Sequence, residues 1–117
     1  MNKTIFTNTY EGNIFKKWLN IYKKSAIFFW VLYFLKKKPA YSKEILSFLS
    51  KLGLGIDKNS LYRALRRLEY LDLVEFIKVP GKNTGAERKV YKLTLSGKKV
   101  LRMMKNVRKR EDKVRVG

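Results

Sequence analysis

The sequence lacks cysteine and histidine altogether and is poor in acidic residues. A chain without these two residue types has no disulfide bond, thiol nucleophile, Cys/His zinc site or imidazole general base. The nine Asp and Glu residues are scattered, and the one adjacent pair, Glu111 and Asp112, lies in a basic C-terminal segment. We therefore predict no catalytic residue, no metal site and no cofactor, and we do not expect an enzyme.

The shortage of acidic residues leaves a large positive charge. Lys and Arg number 28 in 117 residues, which gives a net charge of +19. Such an excess disfavours the compact state through self-repulsion, and an acidic partner is its commonest compensation. Nucleic acid is the first candidate partner and an anionic membrane surface is the second.

Long hydrophobic runs are also missing. The longest is AIFFWVLYFL at residues 26–35, about half of the ~20 residues that a membrane-spanning helix needs. The run lies too deep in the chain for a secretory signal and has no small-residue cleavage site after it. It predicts a core helix of a cytoplasmic protein with no membrane partner. Use of this run and its flanking lysines at a membrane surface stays open as an alternative.

The length fits one domain with a real core. We expect a flexible N-terminal arm at residues 1–12, a folded domain at 13–107 and a frayed basic tail at 108–117. Apolar spacing predicts helices at residues 13–24 and 25–37, with Ser25 as a cap between them. Three more helices are predicted after the N-caps Ser42, Asp57 and Thr94, with Gly53 ending the first of these.

The apolar period changes to that of β-strands at residues 73–79 and 88–93, around a Gly/Pro/Asn-containing loop. Two such runs predict a hairpin. The expected fold is therefore mainly α with a small β-hairpin. It is a winged helix-turn-helix with additional N-terminal and C-terminal helices.

The helix after Asp57 has two distinct faces. Leu61, Leu65 and Leu68 recur at the spacing of one buried face. In helix-turn-helix proteins the second helix enters the major groove, where arginine can bind guanine and asparagine can bind adenine through paired hydrogen bonds. The candidate DNA-binding residues here are Lys58, Asn59, Ser60, Tyr62, Arg63, Arg66 and Arg67. The same pattern is also typical of a solvent-exposed basic face on an ordinary core helix.

The hairpin carries a second set of basic residues. The candidate DNA-binding residues of this wing are Lys78, Lys82, Asn83, Arg88 and Lys89. A basic loop containing glycine suits the minor groove or the flanking DNA backbone. Alternating lysines are also typical of edge strands protected from aggregation. A basic helix followed by a basic hairpin in this order favours DNA binding.

Two segments resemble the PadR-like winged-helix transcriptional regulators: DKNSLYRALRRLEYLDLVE at residues 57–75 and ERKVYKLTLSGKKVL at 87–101. The resemblance covers about two-thirds of the chain. Asp72 stands where the family usually has Gly, a position that favours left-handed backbone geometry. Ser42 and Lys43 stand where the family usually has Gly-Tyr. The resemblance implies a homodimeric repressor that dimerises largely through its terminal helices. Some members respond to small ligands, and this sequence identifies no such effector.

Apolar stripes on the terminal helices support a dimer. The candidate dimerisation residues are Trp18, Ile21, Tyr22, Val100, Leu101, Met104 and Val107. Either stripe could instead cover the core of its own subunit, but the aromatic residues of 26–35 already provide a large apolar surface.

The sequence therefore predicts a sequence-specific, homodimeric regulator that binds double-stranded DNA. A non-specific architectural nucleic-acid binder is the first alternative, and a basic membrane-surface protein is the second. RNA binding also stays open, because charge alone does not distinguish nucleic acids.

Overall fold

The computed structural model describes residues 9–81 and 87–114. Within these ranges the chain forms four helices and a three-stranded antiparallel sheet with strand order β1-β3-β2. The helices are α1 (Tyr10–Lys37), α2 (Ser42–Ser50), α3 (Lys58–Tyr70) and α4 (Leu95–Val114), and the strands are β1 (Ala40–Tyr41), β2 (Val74–Pro80) and β3 (Glu87–Leu93). The predicted mainly α fold with a β-hairpin is confirmed.

The first helix differs from the prediction in its length and its start. Residues 10–37 form one helix of 28 residues, so the predicted break at Ser25 is wrong. Serine inside a helix costs only about 0.5 kcal/mol relative to alanine, and no Gly or Pro occurs between Asn13 and Lys38. The helix begins at Tyr10, inside the predicted arm, because the hydroxyl oxygen of Thr9 accepts a hydrogen bond from the Gly12 N–H at 2.9 Å.

A short strand before α2 was missed. Ala40 and Tyr41 pair with Tyr91 and Val90 of β3, and a strand of two residues has no periodicity to recognise. Tyr41, and not Ser42, is the N-cap residue of α2. A carboxylate oxygen of Glu44 accepts a hydrogen bond from the Tyr41 N–H at 2.9 Å, which holds the start of this helix.

Local signals at the other helix ends were predicted correctly. Asp72 has a φ of 61°, the left-handed geometry expected where the family usually has glycine. Gly53 has a φ of 72° just after α2. The hydroxyl oxygen of Thr94 accepts a hydrogen bond from the Gly97 N–H at 3.0 Å and caps α4.

The last helix continues beyond its predicted end. It runs to Val114, so the predicted frayed tail is wrong for residues 108–114. The Arg108 guanidinium lies 4.6 Å from the ring centre of Phe29 and 5.5 Å from that of Trp30. These cation–π contacts hold the second half of α4 on α1.

The core lies where the second half of α1 meets α2, α3, α4 and the sheet. The buried residues of α1 are Gly12, Ile27, Phe29, Val31, Leu32 and Leu35. Five of the ten residues in the apolar run at 26–35 are buried and the other five are half-buried, as expected for a core helix. In the described part of the chain no helix is long and apolar enough to cross a membrane. The first half of α1 extends outside this core.

Candidate nucleic-acid interface

A single aspartate fixes the N-terminus of α3. The Oδ1 atom of Asp57 accepts a hydrogen bond from the Ser60 N–H at 2.7 Å. This hydrogen bond is the main cause that lowers the pKa of the Asp57 carboxyl group. The N-terminal half of α3 therefore starts from a defined position, as the predicted cap requires.

The two faces of α3 are as separate in the structure as in the sequence. Its buried residues are Leu61, Ala64, Leu65 and Leu68. At about 100° per residue, the ridge opposite these side chains is formed by Asn59, Arg63, Arg66 and Tyr70. All four side chains are exposed, Tyr70 to 82%. This ridge is the solvent-exposed face of α3.

The remaining candidates on α3 lie beside this ridge. Lys58 and Arg67 are exposed, and Ser60 is half-buried. The Nη2 atom of Arg63 lies 3.5 Å from the Ser60 hydroxyl oxygen, so the guanidinium stays near the start of the helix. Tyr62 is half-buried and packs against the core, with the Lys58 ammonium 5.8 Å from its ring centre. Tyr62 therefore lies on the flank of α3 and not on the outer ridge.

Basic side chains of the hairpin contact an aromatic ring and a carboxylate on the neighbouring strand. Lys78, Arg88 and Lys89 are all exposed on its strands. The Lys89 ammonium lies 4.3 Å from the ring centre of Phe76, and the Lys78 ammonium lies 4.0 Å from the Glu87 carboxylate. The predicted tip residues Lys82 and Asn83 lie outside the described residues.

An open cavity of about 580 Å³ separates α3 from the wing. Ten residues line it: Tyr41, Ser42, Lys43, Tyr62, Arg66, Glu69, Glu87, Arg88, Lys89 and Tyr91. We call this cavity the inter-element groove. It brings together four of the predicted DNA-binding residues from two separate sequence segments.

The structure adds residues to the site that the sequence did not indicate. Tyr41, Ser42 and Lys43 reach the groove because β1 pairs with β3. The pairing between residues 40–41 and 90–91 cannot be recognised from the local sequence of either segment. Among the three added residues, only Lys43 has a basic side chain that could have suggested a role in DNA binding. Tyr91 forms part of the groove lining, and burial, aided by the Glu69 carboxylate, raises the pKa of its hydroxyl group.

The predicted dimerisation residues fall into three groups. Trp18, Ile21, Tyr22 and Val107 are exposed, with 54% of Trp18 and 69% of Ile21 accessible to solvent. Val100 and Met104 are half-buried against the core. Leu101 is only 1% exposed, so its assignment to an interface is wrong. Its side chain fills the core of its own subunit because α4 lies directly on α1.

Both terminal helices carry further exposed apolar side chains. On α1 they are Tyr10, Ile14 and Phe15, and on α4 they are Met103 and Val114. The rings of Phe15 and Trp18 stack at 5.8 Å, and those of Trp18 and Tyr22 stack at 5.2 Å. At about 100° per residue, the six apolar residues of α1 occupy an arc of about 140°. We call these residues of α1 and α4 the terminal-helix surface.

Comparison with known proteins identifies the family of the chain. The profile of the transcriptional regulator PadR-like family matches residues 31–103. No curated protein sequence matches the chain. A PadR-like transcription factor from Bacteroides fragilis is 28% identical, with a TM-score of 0.72 over 81% of this chain and 91% of the other. A PadR family regulator from Clostridium difficile is also 28% identical, with a TM-score of 0.69 over 75% and 92% of the two chains.

A third similar structure includes nucleic acid. Bacillus subtilis PadR in complex with operator DNA is 26% identical, with a TM-score of 0.58 over 66% of this chain and 45% of the other. The present chain therefore corresponds to less than half of that protein. The family profile, by contrast, covers more than half of the present chain. This protein belongs to the PadR-like family of transcriptional regulators.

Proposed function

We propose that the protein is a sequence-specific repressor that binds double-stranded DNA as a homodimer, with α3 in the major groove. The observation that carries this proposal is the exposed ridge of Asn59, Arg63, Arg66 and Tyr70 opposite the buried leucines of α3. The single acidic residue of this helix, Glu69, lines the inter-element groove. The ridge itself therefore presents no negative charge to a nucleic acid.

Base recognition is assigned to the N-terminal half of the ridge. Asn59 and Arg63 are one helical turn apart, and both precede the middle of α3. Arginine binds guanine O6 and N7 in a bidentate manner, and asparagine binds adenine N6 and N7. Lys58, Ser60 and Arg67 flank the ridge and suit phosphate groups, which position a protein without specifying sequence.

The wing is assigned to the backbone or the minor groove beside the major-groove contact. Lys78, Arg88 and Lys89 supply exposed charges along its strands. The tip residues Lys82 and Asn83 would extend this contact. Such residues add affinity for all duplexes, because phosphate contacts depend on charge and not on base sequence.

The terminal-helix surface is assigned to a second copy of the chain. Clusters of large exposed apolar side chains mark contact surfaces on soluble proteins. Pairing of two such surfaces would cover the stacked rings of Phe15, Trp18 and Tyr22. A dimer would also present two copies of α3 to two half-sites, about 10 base pairs apart on one side of the duplex.

The proposed activity is binding in the cytoplasm, without catalysis, metal or cofactor. The chain offers no cysteine or histidine for such chemistry. No small-molecule effector is assigned. The operator complex of Bacillus subtilis PadR supports the DNA-binding assignment by similarity.

Selection from a pool of random duplexes tests the function. A sequence-specific dimer should enrich an inverted repeat, and the enriched duplex should bind more tightly than a scrambled one by about 10³-fold or more at physiological salt. Equal affinity for the two duplexes would contradict specificity and favour the architectural alternative, which the charge of +19 also supports. Tighter binding to single-stranded RNA than to either duplex would contradict DNA as the partner.

A further inference from the structure

The guanidinium group of Arg88 lies against the ring of Tyr41. The distance from the Arg88 Cζ atom to the ring centre is 5.4 Å. Tyr41 is the partner of Val90 in the β1–β3 register, so Arg88, two residues earlier on β3, is its diagonal neighbour on the same face of the sheet. The two side chains meet because the sheet places them together.

This contact directs Arg88 toward the start of α2. Tyr41 immediately precedes α2, and Lys43 lies in the first turn of that helix. Both residues line the inter-element groove together with Arg88, and Arg66 lines it from α3. The groove is thus bordered by cations from three elements that are far apart in sequence.

The balance of charge in the groove favours an anion. Its lining includes four basic residues and two acidic ones. One of the acidic groups, the Glu87 carboxylate, also lies 4.0 Å from the Lys78 ammonium, which offsets part of its charge. A guanidinium whose face rests on an aromatic ring keeps the N–H groups at its edge free, and these donors match the oxygens of a phosphate group.

We propose that the inter-element groove holds one phosphate group of the DNA backbone, bound by Lys43 and Arg88, with Tyr41 as the positioning residue for Arg88. This assignment rests on the proposed DNA-binding function. It makes Arg88 a contact to the backbone between the two grooves of the duplex and not a reader of the minor groove. It also gives α2, through Lys43, a direct role in binding.

The first test measures affinity for a mixed-sequence duplex as a function of salt, using the full chain. Each neutralised phosphate contributes about 0.9 to the slope of log K against log salt, so Lys43→Ala and Arg88→Ala should each lower this slope by about one unit. Lys99→Ala, an exposed lysine on α4, is the matched control and should leave the slope unchanged. Wild-type slopes for both Lys43→Ala and Arg88→Ala would overturn the proposal.

Tyr41 is tested with two variants. Tyr41→Phe keeps the ring under Arg88 and should bind like the wild type. Tyr41→Leu removes the ring and should weaken binding to every duplex several-fold. In an Arg88→Ala background the same Tyr41→Leu change should have no further effect, which a merely structural role would not produce. Thermal unfolding of each variant establishes that it is folded, and equal losses in both backgrounds would overturn the role of Tyr41.

A chemical change in the DNA tests the ligand itself. In the duplex enriched by selection, single phosphates are replaced one at a time by neutral methylphosphonates. One position should weaken the wild type yet leave Lys43→Ala unaffected. If no position behaves in this way while Arg63→Ala still loses sequence preference, the phosphate assignment fails and the proposed function stands. If the wild type itself prefers no duplex, the proposed function fails.

Discussion

The hydroxyl group of Thr94 donates a hydrogen bond to the backbone carbonyl of Asp72, with 2.6 Å between the two oxygen atoms. The same hydroxyl caps α4 through the Gly97 N–H. Asp72 lies just after α3, so one side chain ties the exit of the proposed recognition helix to the start of the C-terminal helix.

The close approach between Gly97 and the backbone of Leu73 predicts the effect of Gly97→Ala. A Cβ atom at Gly97 would clash with the carbonyl oxygen of Leu73, which is backbone and has little freedom to move. Overpacking of this kind costs about 1–3 kcal/mol of unfolding free energy. Urea unfolding measures the loss, with Ser96→Ala at an exposed neighbouring position as the control. Equal midpoints for the two variants would contradict the close approach.

The cap at Asp57 predicts a pH-dependent stability. The pKa of this carboxyl group is lowered in the folded state, chiefly by the hydrogen bond from the Ser60 N–H. The stabilisation by its charge is therefore present above the unfolded pKa and is lost as pH falls through the lower folded pKa. Urea unfolding of the wild type and Asp57→Asn should show a difference at neutral pH that shrinks in acid below the ordinary value of 3.8. A difference that does not vary with pH would contradict this account.

The terminal-helix surface predicts the oligomeric state. A homodimer should be present at micromolar concentration, at twice the chain mass of 13.9 kDa. Trp18→Glu and Val107→Glu each place a charge on the exposed apolar surface and should shift the mass toward the monomer. Asn20→Glu, on the polar side of α1, is the matched control. Leu101→Asp is unsuitable because it would unfold the core.

Light scattering measures these masses. A monomer of the wild-type chain across the micromolar range would contradict the proposed dimer. A dimer that is retained in both Trp18→Glu and Val107→Glu would place the interface on another surface.

Removal of a positive charge at the tip of the wing should change the affinity for DNA without changing the preference for one base sequence over another. Lys82→Ala should weaken binding to all duplexes by a similar factor and lower the salt slope by about one unit. Anisotropy titrations of the selected and scrambled duplexes over a range of salt concentrations measure both quantities. An unchanged slope would place the tip away from the DNA.

Sequence alone predicted those parts of the fold that depend on local hydrogen bonds and local spacing. Asp57 and Thr94 cap their helices through groups three residues away. The buried face of α3 follows from its leucines at helical spacing. Each of these signals lies within one or two helical turns, so a linear pattern is enough to detect it.

The features of the site and the fold that the sequence did not predict depend mostly on contacts between segments far apart in the chain. Tyr41 and Lys43 join the site through a strand pairing across about fifty residues of sequence. Leu101 was assigned to the surface because an apolar stripe does not reveal whether its own subunit or a partner covers it. The break predicted at Ser25 was wrong for a different reason: a potential cap residue does not end a helix when the helix can continue at low cost.

The control for the central claim is Leu65→Ala on the buried face of α3. It should destabilise the fold by about 2–5 kcal/mol through the cavity that it leaves. Arg63→Ala, at an exposed position of the same helix, should change the unfolding free energy by about 0.5 kcal/mol or less. Loss of binding in Arg63→Ala would then report on recognition and not on folding.

The most direct measurement is the affinity of Arg63→Ala for the selected duplex and for a scrambled one. If the outer ridge of α3 reads bases, the change should cost about 1–3 kcal/mol on the selected duplex and much less on the scrambled one. Equal losses on the two duplexes would contradict base recognition by Arg63 and would assign the basic face of α3 to non-specific binding.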